Sequence, residues 1–217
     1  CPQHRDDQSA PIDLEMRSRL LDALLAVDSS KLEHAQKLTL LRTLQITLVR
    51  FGRPDNATVS NLIEKFDPLF PADTFEQNWL LCETLAWLQS PTVAAKAMDL
   101  MAAASTHEEQ LQFARSLRML KPGWTTELRT QYFNWFLKAA SYRGGASFDQ
   151  FIKFIRDDAV ASLDESEKAV LKELLEKKPV RISALENLGQ IFQGRKTTDW
   201  TLDSLSGEVR RGLKARD

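Results

Sequence analysis

The chain has 217 residues, 43% of them hydrophobic, enough to bury a core as one domain or one compact array. Its 29 Lys and Arg oppose 30 Asp and Glu for a formal net charge of -1, so no global positive field gathers phosphate, which argues against general nucleic-acid binding. Two cysteines, Cys1 and Cys82, exclude a disulfide framework and any zinc site built mainly from thiolates.

The opening "CPQHRDDQSAP" is polar and has no apolar run of the kind a signal peptide carries, so residues 1–10 read as a disordered leader. Cys1 fits either the edge of an excised piece or a lipidated residue. The most apolar stretches, Leu20 to Val27 and Met98 to Ala104, are short or broken by Asp22 and Asp99. Both fall far below the roughly 18 uninterrupted apolar residues of a membrane span.

From there helical periodicity runs almost throughout and period-two alternation is nearly missing, which makes the chain all-α. A first helix is predicted at 12–27 and a second at 30–51, the latter started by Ser30 with Glu33 three residues on. In that second helix Leu38, Leu40, Leu41, Leu44, Ile46, Leu48, Val49 and Phe51 cover more than one narrow stripe. Partners on two sides, and an interior position, are expected for it. Helices follow at 57–66, at 74–89 behind Asp73 and Glu76, at 91–104, and at 107–120 behind Thr106 and Glu109. The rest are predicted at 126–142, at 147–161, at 165–177 behind Asp164 and Glu167, and at 202–214.

The short links between these helices force antiparallel neighbours, so the chain proceeds as helical hairpins. About ten helices in pairs of roughly 35 to 40 residues match the period of HEAT or armadillo arrays, and the expected fold is a right-handed solenoid of that kind. Residues 11–195 form the repeat domain in this reading, with periodicity weakening from Pro179 to Thr198. Residues 196–217 form a linker and a terminal amphipathic helix, capped by Thr201 and carrying Leu202, Leu205, Val209 and Leu213 on one face.

Motifs for chemistry are sparse. His4, His34 and His107 lack ligand spacing and read as solvated side chains. No nucleotide loop or nucleophile elbow occurs, and Ser147, after Gly144, Gly145 and Ala146, reads as a helix N-cap rather than a nucleophile. The pairs Asp6 and Asp7, Glu108 and Glu109, and Asp157 and Asp158 are sequential, and adjacent helical residues point about 100° apart, so they do not converge. No catalytic residue, metal ligand or cofactor is assigned.

Trp79, Trp87 and Trp135 invite comparison with HEAT-like DNA glycosylases of the alkylpurine type, which set Trp and Asp on a basic concave surface. Core packing is the favoured role for all three, and a DNA-binding or glycosylase-type enzyme stands as the alternative function. Arg115 and Arg118, with Tyr142 and Arg143 beside the glycines, make the best candidate cluster for a protein partner, because a planar guanidinium beside an aromatic is a good anchor. Intramolecular clamps between neighbouring hairpins are the other reading of the same residues.

The stretch "EEQLQFARSLRMLKPGWTTELRTQYFNWFLKAASYRGGASFDQFIKFIRDDAVASL", with the tail "DWTLDSLSGEVRRGLKARD", resembles the helical region of large multidomain proteins of planctomycete type. In those proteins a dehydrogenase-like propeller, HEAT-type repeats and a C-terminal c-type cytochrome share one chain. The residues carrying the resemblance are Gly123 to Thr125, Tyr132, Phe133, Trp135, Phe136, Tyr142, Gly144, Gly145, Ser147, Phe148 and Ile155 to Ala159. It implies a non-catalytic scaffold or protein-interaction module that spaces redox domains, in an extracytoplasmic or periplasmic setting. Its partners would be a protein or the adjacent cytochrome and propeller domains. No C-x-x-C-H is present, so this chain binds no haem covalently.

Overall fold

The computed structural model describes residues 12–142, 147–178, 201–203 and 205–207. The chain divides into two compact units, Cys1–Val180 and Arg181–Asp217. In the first, nine α-helices run among the described residues: α1 (Leu14–Ala26), α2 (His34–Phe51), α3 (Asn56–Phe66), α4 (Phe75–Leu88), α5 (Val93–Ala103), α6 (His107–Leu117), α7 (Thr126–Ala139), α8 (Phe148–Ala161) and α9 (Glu165–Glu176). No strand occurs among the described residues, and no helix there is long and apolar enough to cross a membrane.

Local chemistry sets where these helices begin. Asp13, Asp55, Thr106, Thr125 and Asp164 each accept a hydrogen bond from a first-turn amide, satisfying donors that the helix itself leaves open. Asp164 and Glu167 form the reciprocal pair their spacing predicts. Two starts differ from expectation. Ser30 lies in a 3-10 turn held by Asp28, and α2 begins four residues later from Glu33, whose capping box uses Gln36. α4 is capped by Thr74 rather than Asp73, the Thr hydroxyl accepting from the Gln77 amide. Ser147 does occupy the N-cap of α8, but its side chain makes no capping bond.

Packing follows a regular order. The even helices touch in sequence, α2 on α4, α4 on α6 and α6 on α8. Consecutive helices pair as α1 with α2, α3 with α4, α5 with α6 and α7 with α8, and the odd helices meet as α1 with α3, α5 with α7 and α7 with α9. Between α3 and α5 the connection is polar. Asp67, just past α3, accepts from Lys96 of α5 at 2.7 Å, from Ser90 at 2.8 Å and from Thr92.

α2 does have partners on two sides, α1 and α4, but the more enclosed helix is α4. Leu80, Leu81, Cys82, Leu85, Ala86 and Leu88 are all buried, and α4 meets α2, α3, α5 and α6, as a helix apolar nearly all round must. On α2, Leu40, Leu41, Leu44 and Leu48 enter the core, whereas Ile46 and Val49 do not. Fully buried leucines such as Leu44, Leu62, Leu85 and Leu117 each contribute about 2 kcal/mol of apolar transfer.

The turn from α6 to α7 is built by close approach. Gly123 has φ +79°, and a Cβ there would lie 1.9 Å from the Pro91 carbonyl oxygen. Next to it, the Trp124 indole donates to the Leu120 carbonyl at 3.0 Å and lies 4.3 Å beneath the Arg129 guanidinium. Tyr132, Phe133, Trp135, Phe136 and Tyr142 then form a chain of edge and tilted ring contacts, and the buried Tyr132 hydroxyl donates to the Ala114 carbonyl on α6 at 2.6 Å. In the second unit the described residues are helical at 202–203 and 205–207, with Leu202 and Leu205 exposed. Val209 and Leu213 lie outside the described residues.

Candidate functional site

Because the even helices succeed one another, their side chains share a surface, and a polar ladder crosses it. Arg42 donates to the Gln45 amide oxygen at 2.9 Å within α2. Gln45 donates to one carboxylate oxygen of Glu83 on α4 at 3.2 Å, and Arg115 of α6 pairs with the other at 3.3 Å. Arg118 donates to the Arg115 carbonyl at 2.6 Å and to Asp158 of α8 at 2.9 Å. Four helices are thereby linked by side chains that remain partly open to solvent.

The four residues singled out in the sequence separate here. Arg115 and Arg118 come together at the C-terminal end of α6, and both guanidiniums make bonds between helices of this chain. Tyr142 lies at the other end of the helix, stacked on His107 with ring centroids 3.5 Å apart and donating to Gln110 at 2.6 Å. His107 and Arg118 are eleven positions apart, about 16 Å along the axis. Arg143 lies outside the described residues.

The other candidates are held just as firmly. The His34 ring nitrogen bonds the Gln77 amide at 2.7 Å. Asp157 pairs with Lys153 while Asp158 turns to Arg118, so the two carboxylates diverge. Burial pushes the Cys82 thiol far above its ordinary pKa, against a lowering hydrogen bond with Ser116, which keeps it a thiol. Arg129 is the one deeply buried cation among the described residues. Burial lowers its pKa, and the Glu167 carboxylate at 2.9 Å works in the opposite direction.

Beside the ladder lies a groove of about 380 Å³ between α2 and α4, lined by Arg42, Ile46, Val49, Arg50, Glu83 and Trp87 among others. Trp87 was expected in the core with Trp79 and Trp135; instead it is 40% exposed, while Trp135 is buried and Trp79 half-buried. Arg53 fixes the Trp87 end of the groove, donating to the Trp87 and Leu88 carbonyls with its guanidinium 5.6 Å from the indole centroid. A cation there also meets the negative end of α4.

Sequence reading missed this groove. The signal was the excess of apolar residues on α2, which fits an exposed apolar strip as well as a second buried face. Arg42 and Arg50 bracketing Ile46 was the further clue. No known protein family, curated protein or solved structure matches this chain.

Proposed function

We propose that this chain is a non-catalytic α-helical repeat module, a HEAT- or armadillo-like right-handed solenoid that holds partner proteins or neighbouring domains at a set separation. The observation that carries the reading is the spacing of its cross-links. Val27 with Lys65, His34 with Gln77, Gln45 with Glu83, Glu83 with Arg115, Arg118 with Asp158 and Arg129 with Glu167 all join residues 32 to 43 apart. Bonds that recur at one hairpin's length are what stacked repeats make, since each hairpin touches only its neighbours.

The resemblance to planctomycete-type multidomain proteins extends the proposal. There the module would be an extracytoplasmic spacer between a propeller dehydrogenase and a c-type cytochrome, and the chain itself would bind no cofactor. Four polar groups in and near the ladder are held by partners within this chain, which supports a structural role for them: Glu83, Asp158 and Glu167 face arginines, and Tyr132 faces a backbone carbonyl.

The competing function, a glycosylase acting on alkylated DNA, gives the test. Purified protein incubated with methylated duplex DNA is expected to release no free base and to show no steep loss of binding with added salt. Base release, or a log-log salt slope of several units, would overturn the module reading.

A further inference from the structure

The groove between α2 and α4 is left unexplained by either the core or the ladder. Three apolar side chains stand open along it, Ile46 at 50%, Val49 at 69% and Trp87 at 40% exposure. Isolated exposed apolar residues are ordinary, but three sharing one concave surface mark a contact site.

Charge says what kind of contact. Along its whole length α2 carries Lys37, Arg42 and Arg50 and no carboxylate. The groove's acid, Glu83, is taken on one oxygen by Gln45 and on the other by Arg115. Arg42 bonds only the neutral Gln45 amide, and Arg50 makes no ion pair among the described residues. The result is an apolar floor with an uncompensated positive rim.

Spacing adds shape. Arg42 and Arg50 are eight residues apart, about 12 Å along the helix, with Ile46 midway between them. A helix lying along α2 meets both with carboxylates two turns apart, and its apolar residues in between reach the floor.

We propose that the α2 and α4 groove docks an acidic amphipathic helix of a partner protein, its apolar face on Ile46, Val49 and Trp87 and its carboxylates on Arg42 and Arg50. This assignment rests on the interaction-module reading and names the chemistry of the partner. An apolar floor favours a peptide over a nucleic acid, whose backbone would leave Ile46 and Val49 uncovered.

The test uses a fluorescein-labelled peptide of about four helical turns, with Leu along one face and Glu flanking it two turns apart, followed by anisotropy against the full chain. Its companions are the same peptide with every Glu replaced by Lys, and a single-stranded DNA of equal charge. The acidic peptide is expected to bind, and the double variant Arg42→Glu, Arg50→Glu to bind it at least about tenfold more weakly while gaining the Lys peptide. A second variant, Val49→Asp, is expected to weaken the acidic peptide by a similar factor without touching either arginine. All three positions are exposed, and an unchanged thermal melt checks that the fold is intact. No binding of the acidic peptide, equal binding by the charge-reversed variant, or tighter binding of the DNA overturns the assignment. The first two results leave the module reading standing, because that reading is tested separately, by base release and by the salt dependence of duplex binding.

Discussion

Gly123 shows how one missing methyl group fixes a turn. Its φ of +79° already disfavours any residue with a Cβ, and the Pro91 carbonyl oxygen closes the space a Cβ would need. Gly52 gives the comparison, with φ +76° but nothing within 4 Å of the same built atom. Gly52→Ala is therefore expected to cost strain alone, about 1 to 3 kcal/mol, and Gly123→Ala strain plus displacement of the 89–92 turn, about 4 kcal/mol or more. Urea denaturation of the two variants checks this; equal losses would mean that the Pro91 contact is not what restricts position 123. The sequence marks Gly123 as a turn residue, because Pro122 precedes it and a helix start follows. What makes it obligatory is a carbonyl 32 residues away, and no local pattern carries a contact of that kind. Trp87 was misjudged for the related reason that a large ring fits a core or a partner surface equally well until its neighbours are known.

Between elements, α3 and α5 are joined by the polar junction at Asp67. Partial burial alone would raise its carboxyl pKa, but hydrogen bonds from Lys96, Thr92 and Ser90 outweigh burial and hold it below the ordinary range. A carboxyl whose folded pKa is depressed stabilises the fold above its unfolded value, near 3.9, and that contribution disappears as pH falls through the folded value. Asp67→Asn is thus expected to cost about 1.5 kcal/mol at pH 7, with the gap between the wild-type and variant melting curves closing below about pH 4. Asp28, Asp55 and Asp164 are also shifted down, by hydrogen bonds at helix starts, but they are common to both chains and cancel in the difference. Thermal melts from pH 7 to pH 2 read the gap, and one that stays constant would remove Asp67 as the link between α3 and α5. Helix starts were legible because Thr106 and Asp164 act within three residues of themselves. The polar bridge was not, since nothing near Asp67 points to Lys96, and the greater enclosure of α4 than of α2 depends on which apolar faces find partners.

For the whole first unit, the proposed repeat order makes a claim that a single closed core does not. If each hairpin is buried only by its neighbours, removing the last ones exposes an end without dissolving the rest. A chain cut after Lys121 keeps α1 to α6 and all the contacts of α4 with α2, α3, α5 and α6; it gives up those of α5 with α7 and of α6 with α8. It is expected to stay helical and to melt cooperatively, at a lower temperature than the parent because α5 and α6 lose the cover of α7 and α8, including the Tyr132 ring whose hydroxyl reaches the Ala114 carbonyl. A cut inside α4 after Leu81 is expected to leave no cooperative melt, because Leu85 and Leu88 are lost from the middle of the core. Circular dichroism melts of the two truncations separate the cases. Loss of helix in the longer piece would show that α7 to α9 are needed to hold α1 to α6 together, as in a globular bundle, and the spacer role would lose its physical basis.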